Sequence, residues 1–405
     1  MIDGDTAWLL ISAALVILIT PGLALFYGGM VQGKNVLSTF MHSFFALGLV
    51  TLQFAVIGYT LAFGTSIGGV IGGLDFLGLD GITETSARGT VPHYAFFAYQ
   101  CMFAVIAPAL ISGAYAERFK FSAYCIFTLA WTTLVYDPIA HWSWATGGWL
   151  MKLGAIDYAG GTVVHLSTGI SALVVALVLG KRKGYPSVRH APHNLTMTVL
   201  GAGLLWFGWF GFNAGGAGAN GTAALAMVNT HIAAAAGAVT WAVVEGGRIR
   251  KFTVLGVASG LVAGLVAITP AAGYVSPMVA IAIGATAGAV CYGAVLVKMR
   301  LGYDDALDAF GVHGVGGATG ALLTGVFARA ALNGGNGGGL SLLGKQAIGI
   351  AAAGAWAAVV TFVLLKLIDL TVGLRVDAET EHDGLDGALH GESAYGSPSG
   401  SAHGS

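Results

Sequence analysis

A chain of 405 residues that is 56% hydrophobic and only 9% charged cannot coat a water-exposed surface of its size, since soluble domains carry roughly 25% charged residues. The formal net charge of −1 supplies no basic field, which removes nucleic acid as a partner. The three cysteines, Cys101, Cys125 and Cys291, are scattered through apolar runs without disulfide or metal-ligand spacing, and the 64 glycines suit closely packed membrane helices.

The N-terminus, Met1-Ile2-Asp3-Gly4-Asp5, is acidic, so the apolar run after it reads as a first membrane span rather than a cleaved signal. A helix needs roughly 20 apolar residues to cross about 30 Å of hydrocarbon. On that measure the chain is expected to form eleven spans, at about 7–31, 39–63, 94–115, 122–142, 160–180, 194–215, 222–245, 252–270, 276–298, 307–329 and 343–373. Residues 64–93 and 331–340 are glycine-rich outer loops in this scheme. Residues 374–405 are polar and form a cytoplasmic tail whose last third is expected to be disordered.

Lysine and arginine fix the orientation. With the N-terminus outside and the C-terminus inside, the inward loops hold Lys34, Arg118, Lys120, Lys181, Arg182, Lys183, Arg189, Arg248, Arg250, Lys251, Lys298, Arg300, Lys366 and Arg375. Only Arg88, Lys152, Arg329 and Lys345 are left outside. An even number of spans would put the later basic loops on the wrong side. The chain is therefore expected to be a multi-pass protein of the cell (plasma or inner) membrane, with residues 1–373 in the bilayer.

Ionisable residues inside spans are rare and costly, and they mark functional sites. His165 lies near the outer edge of the fifth span, in Asp157-Tyr-Ala-Gly-Gly-Thr-Val-Val-His165. His313 lies near the inner edge of the tenth, in Asp308-Ala-Phe-Gly-Val-His313. A neutral imidazole both donates and accepts, and it suits a solute that gains and loses a proton. The bland alternative is a histidine that merely bonds a neighbouring helix. Two such residues, each flanked by glycine and preceded by an aspartate, favour a function. Neither has a ligand partner at i+3 or i+4, so no metal is expected. His42, His141 and His231 lack such neighbours and read as structural.

Tyr99, Phe103, Trp144, Trp209 and Phe212 fall on outer halves of their spans. They are either an interfacial aromatic belt or a cation–π site above phenyl rings that close a dry pore. Glu117 and Arg118 are expected to pair with each other at a helix–loop boundary. Asp304, Asp305 and Asp308 are expected to complement the dipole at the start of the tenth helix. The glycines from Gly314 to Gly320 point to close helix packing.

At these residues the chain resembles the Amt/Mep/Rh ammonium transporter family, on the Amt side, over nearly its whole length. The most specific pieces are the Asp157…His165 and Asp308…His313 segments and Trp209-Phe-Gly-Phe-Asn213-Ala-Gly. Gly113-Ala-Tyr-Ala-Glu117-Arg118 and Gly384-Leu-Asp-Gly-Ala-Leu-His-Gly-Glu-Ser-Ala-Tyr395 add to them. The resemblance implies an all-α membrane fold of eleven helices, with an inverted five-plus-five repeat and a homotrimeric assembly. The two Asp…His segments look like an echo of that repeat, although their spacings differ, eight residues against five.

Carried over by position, the resemblance implies an outer ammonium site at Trp144 and Phe103, with Tyr99 beside it and Asp157 shaping it. It implies a stacked gate at Phe103 and Phe212, and a pore pair at His165 and His313 sharing a hydrogen bond. Trp209 and Thr269 become pore-adjacent. Gly216 stands where the family usually has a serine whose hydroxyl accepts from the recruited cation. The expected activity is ammonium uptake: recruitment outside, deprotonation at the gate, and passage of ammonia past the histidines, with or without the proton. Methylammonium is the expected analogue. No enzyme activity or cofactor is implied. A cytoplasmic PII signalling protein is the implied regulator. Two other readings stay open, an ammonium sensor signalling through its tail and a gas channel for ammonia or carbon dioxide.

Overall fold

The computed structural model describes residues 1–188, 190–332, 335 and 337–396. Among them, nine helices are long and apolar enough to cross a bilayer. These are Asp3–Met30, Gly33–Phe63, His93–Tyr115, Gly161–Leu179, Leu195–Ala217, Gly221–Ile249, Pro277–Leu301, Phe310–Phe327 and Leu340–Thr371. Two more complete the eleven expected spans. Residues 121–144 run as continuous helix, and Val254–Ile268 is a shorter apolar helix. Local chemistry explains the boundaries. The side chains of Asn194, Asn220 and Thr253 cap the sixth, seventh and eighth spans, and Gly302 ends the ninth in the left-handed conformation. The outer loop 64–93 folds into two small antiparallel hairpins, Ser66–Ile67 with Ile71–Gly72 and Ala87–Arg88 with Val91–Pro92.

The basic loops converge at one end of the bundle, as the charge bias requires. Buried Arg182 holds Asp304 through three donors (2.8–2.9 Å) and Glu117 through a fourth (2.7 Å). The expected pair between Glu117 and Arg118 does not form. Arg118 is fully buried and spends its guanidinium on the carbonyls of Ala116, Gly180 and Asp304. Glu117 also accepts from Gln32 and Asn35, so the fixed arginine of a neighbouring loop serves it better than the next residue along its own chain. Burial alone would raise the carboxyl pKa values of Glu117 and Asp304, but Arg182 and the surrounding donors hold both below the usual carboxylate range.

The tail folds back onto this end. Lys120 N–H donates to the Leu374 carbonyl, and Val376 N–H to that of Arg118. Arg375 bonds Glu381 and the carbonyls of Leu179 and Lys181. The Asp386 carboxylate caps the second span through the amides of Leu37 and Ser38. Residues 397–405, most of the stretch expected to be disordered, lie outside the described residues.

Candidate functional site

The fifth and tenth spans cross where neither carries a side chain. A Cβ on Gly169 would lie 2.0 Å from the Gly314 nitrogen, and one on Gly317 would lie 2.7 Å from the Gly161 carbonyl oxygen. Only glycine permits this approach. It brings His165 and His313 together, their rings 5.4 Å apart and within 20° of parallel, both buried.

Each histidine sits in a π-helical turn, Gly161–Leu166 and Phe310–Gly314. Such turns free backbone groups and often mark functional sites. Carboxylates cap both. Asp157 accepts from the amides of Gly160, Gly161, Thr162 and Val163 at 2.7–3.0 Å. Asp305 accepts from Ala309 and Phe310. The counterpart of Asp157 is thus Asp305 and not Asp308, which corrects the unequal spacing: both lie eight residues before their histidine. The residue three after each aspartate has positive φ, Gly160 at 112° and Asp308 at 62°. Asp308 turns outward to pair with Lys298, and Asp304 belongs to Arg182, so only Asp305 of the three caps the helix start.

The hydrogen bond expected between the two rings is not made. Both ring nitrogens of His165 and Nδ1 of His313 are buried without a partner. The reason is the flanking indole: His165 stacks on Trp209 at 5.2 Å and 17°, which sets its ring plane. Trp209 is itself fixed by its Nε1–H donating to Thr269 Oγ1 at 2.9 Å. Unpartnered nitrogens in a closed apolar environment are costly, and they are available to a passing donor or acceptor.

Above the histidines the aromatic residues form a wall. Phe103 and Phe212 stack face to face at 4.0 Å and 19°, with no room for water between them. Phe212 touches His165 at 5.9 Å. Trp144 stands edge-on to Phe103 at 5.9 Å, and its Nε1–H donates to the Asp157 carbonyl. Tyr99 packs on Phe103 at 4.9 Å and donates its hydroxyl proton to the Phe212 carbonyl at 2.7 Å. Tyr99, Phe103 and Trp144 line a cavity of about 430 Å³ that also reaches Gly216. Only Tyr99, through a ring carbon and its hydroxyl oxygen at 3.9 Å, comes within 4 Å of a Cβ at Gly216. Below His313 a second, tight space of about 40 Å³ is lined by Phe26, Tyr27, Ser259 and Asp308.

Asp5 and Arg88, the two charged residues that line the upper cavity, were not singled out from the sequence as site residues. Arg88 lies over the rings of Phe63 and Phe96 at 5.4 and 4.8 Å. Its place among only four outward basic residues was the available signal. Of the three histidines read as structural, His141 bonds Ala62 and Ser66, His231 stacks on Trp206, and His42 lies against Tyr115 and Tyr124 with its Nδ1 buried and unpartnered.

Residues 7–395 match the family model described as Ammonium Transporter Family. The chain is 50% identical over 401 residues to an ammonium transporter of Bacillus subtilis, covering 97% of this chain and 98% of that protein. It is 44% identical to the ammonium transporter Amt1 of Archaeoglobus fulgidus, over 98% of this chain and 100% of that one. Among solved structures it is similar to Saccharomyces cerevisiae Mep2 (TM-score 0.87, 39% identity, 93% of this chain and 88% of that one). It is also similar to a structure titled Sensor Amt Protein (TM-score 0.90, 31% identity, 96% and 98%). With matches of this extent and a fold of eleven apolar helices, this multi-pass membrane protein belongs to the ammonium transporter family.

Proposed function

We propose that this chain moves ammonium across the membrane as ammonia. Ammonium is held in the upper cavity by the aromatic faces of Trp144, Phe103 and Tyr99, with Asp157 orienting the wall through its cap. A bare cation cannot cheaply pass the Phe103–Phe212 stack, because it would lose its hydration in an apolar passage. It gives its proton to water in the upper cavity, to return outside or to follow along the histidine pair, and the neutral molecule continues past His165 and His313, bonding in turn to their open nitrogens. Potassium has no proton to give up and is excluded by chemistry rather than size. The observation that carries this reading is the single line formed by an aromatic cavity, a stacked phenyl gate and two buried imidazoles.

The test is uptake of methylammonium by transporter-null cells expressing the wild type, His165→Ala or His313→Ala. Loss of saturable, potassium-insensitive uptake in the variants supports the reading. Full uptake in both overturns the role of the histidines.

On the same reading, residues 1–373 are the transport unit and 374–405 the cytoplasmic tail, the working assembly is a homotrimer, and a PII-type protein docks at the basic end. The likeness to a structure titled as a sensor favours a second reading, in which ammonium binding is signalled through the tail. Saturable ammonium binding by purified protein with no flux in proteoliposomes would select it.

A further inference from the structure

The eleventh span occupies a place whose counterpart is empty. It lies along the groove between the fourth, fifth and tenth spans. Gln346 fixes it there to the backbone of Ile156 and Ala321, and Thr361 Oγ1 donates to Ser171 Oγ at 2.8 Å. In a five-plus-five arrangement the matching groove runs between the ninth, tenth and fifth spans. Among the described residues no helix covers it. It is an apolar trough of about 610 Å³, lined by Leu177 of the fifth span, Ala294, Val297 and Leu301 of the ninth, and Phe310 and Val315 of the tenth. Leu177 and Leu301 are 59% and 72% exposed, so the trough opens on the outside of the bundle.

One end of this trough is cationic. Tyr303 closes it at the basic end of the molecule. The Lys181 ammonium nitrogen lies 3.7 Å from the Cβ position of Gly302, between Leu301 and Tyr303. Arg300, in the last turn of the ninth span two residues before Gly302, is also exposed. An apolar channel at hydrocarbon depth that ends in two cations and a tyrosine at headgroup depth matches one partner in shape and charge. We propose that the groove between the fifth, ninth and tenth spans is a binding site for an anionic phospholipid of the inner leaflet. One acyl chain lies in the trough and the phosphate rests on Lys181 and Arg300. The chain takes the place that the eleventh span fills on the repeat-related side. Phe310 and Val315 bracket the turn that carries His313, so the bound lipid forms the outer wall of that turn.

The experiment uses full-length protein, purified in a neutral detergent and stripped of lipid, with binding read by native mass spectrometry. Phosphatidylglycerol and phosphatidylcholine with the same acyl chains are the probes. The wild type should retain the anionic lipid in preference, and each cation removed should weaken that preference by about fivefold. Lys181→Gln with Arg300→Gln should therefore bind the two lipids equally. Ala294→Phe, which puts a ring into the trough, should bind neither. Both charge substitutions are on exposed side chains, so that variant decides the question even if Ala294→Phe does not fold. Equal binding of both lipids by the wild type, or a preference that survives loss of both charges, overturns the proposal. An Ala294→Phe protein that keeps its lipid preference but loses its oligomeric state overturns it in favour of a second copy of the chain in the groove.

Discussion

Asp157 and Asp305 are structural counterparts: each lies eight residues before a buried histidine, and each caps the amides of the turn that holds it. The two caps approach the crossing of the fifth and tenth spans from opposite ends. They hold His165 and His313 in place through backbone rather than by contact with the rings.

Removing the larger cap should therefore cost both stability and transport. Asp157→Ala strands four amides that now share one carboxylate. The expected loss is on the order of 3 kcal/mol, above the usual range for a neutral helix cap. Asp157→Asn keeps one acceptor oxygen and should lose about half as much. Thermal unfolding of the purified protein followed by intrinsic fluorescence measures both.

Gly216→Ser should tighten apparent ammonium affinity. The new Cβ meets only Tyr99, a ring carbon and the hydroxyl oxygen at 3.9 Å, ordinary contacts. A hydroxyl bonded to a cation contributes about 1.5–3 kcal/mol before water competes, so a gain of roughly tenfold is expected. Gly215→Ser is the contrasting case. Its Cβ would lie 2.6 Å from Ser12 and from Tyr99, and it should impair the site. Concentration dependence of ammonium-pulse currents on solid-supported membranes reads both variants, and an unchanged affinity in Gly216→Ser would refute the first.

The Phe103–Phe212 stack should be what keeps hydrated ions out. Phe212→Ala removes one of two rings packed at 4.0 Å and opens space for water above His165. Potassium pulses should be silent in the wild type and should give current in the variant. Silent potassium pulses in the variant would mean that selectivity resides elsewhere.

Arg182 should set the acid limit of stability. Glu117 and Asp304 have depressed pKa values because Arg182 and local donors outweigh burial. Their contribution is complete above the unfolded carboxyl range, about 4, and is lost as pH falls through the lower folded values. Arg182→Gln leaves two buried carboxylates without the guanidinium that bonds them both, with Arg118 as the remaining cation near Asp304, and should cost about 3–5 kcal/mol at neutral pH. Its stability should rise, not fall, on mild acidification, because protonation now relieves the buried charges. Unfolding temperatures from pH 7 down to about 4 distinguish the two slopes.

Gly169→Ala should separate His165 from His313. Its methyl would overlap the Gly314 backbone, so the fifth and tenth spans must move apart. A loss of about 1–3 kcal/mol or more is expected, together with loss of uptake. Gly203→Ala, where a Cβ meets nothing within 4 Å, is the control and should be silent or slightly stabilising.

Much of this was legible in the chain itself. Composition excluded a soluble protein, the run lengths gave the spans, and the basic residues assigned their ends. Those properties depend on summed transfer energies along the chain, which neighbours in space barely alter. His165 and His313 stood out because an ionisable group in hydrocarbon is costly wherever it packs. Pairings were not legible. Glu117 stands beside Arg118 in sequence yet bonds Arg182, 65 positions away. Asp308 was the nearest aspartate to His313, but Asp305 holds the turn. The hydrogen bond between the histidines gave way to a ring plane set by Trp209. A side chain's partner depends on direction and distance across helix crossings, and here those crossings are set by bare glycine surfaces. The sequence alone determined that imidazoles enter the membrane; only the packing of Gly169 on Gly314 decided that they meet.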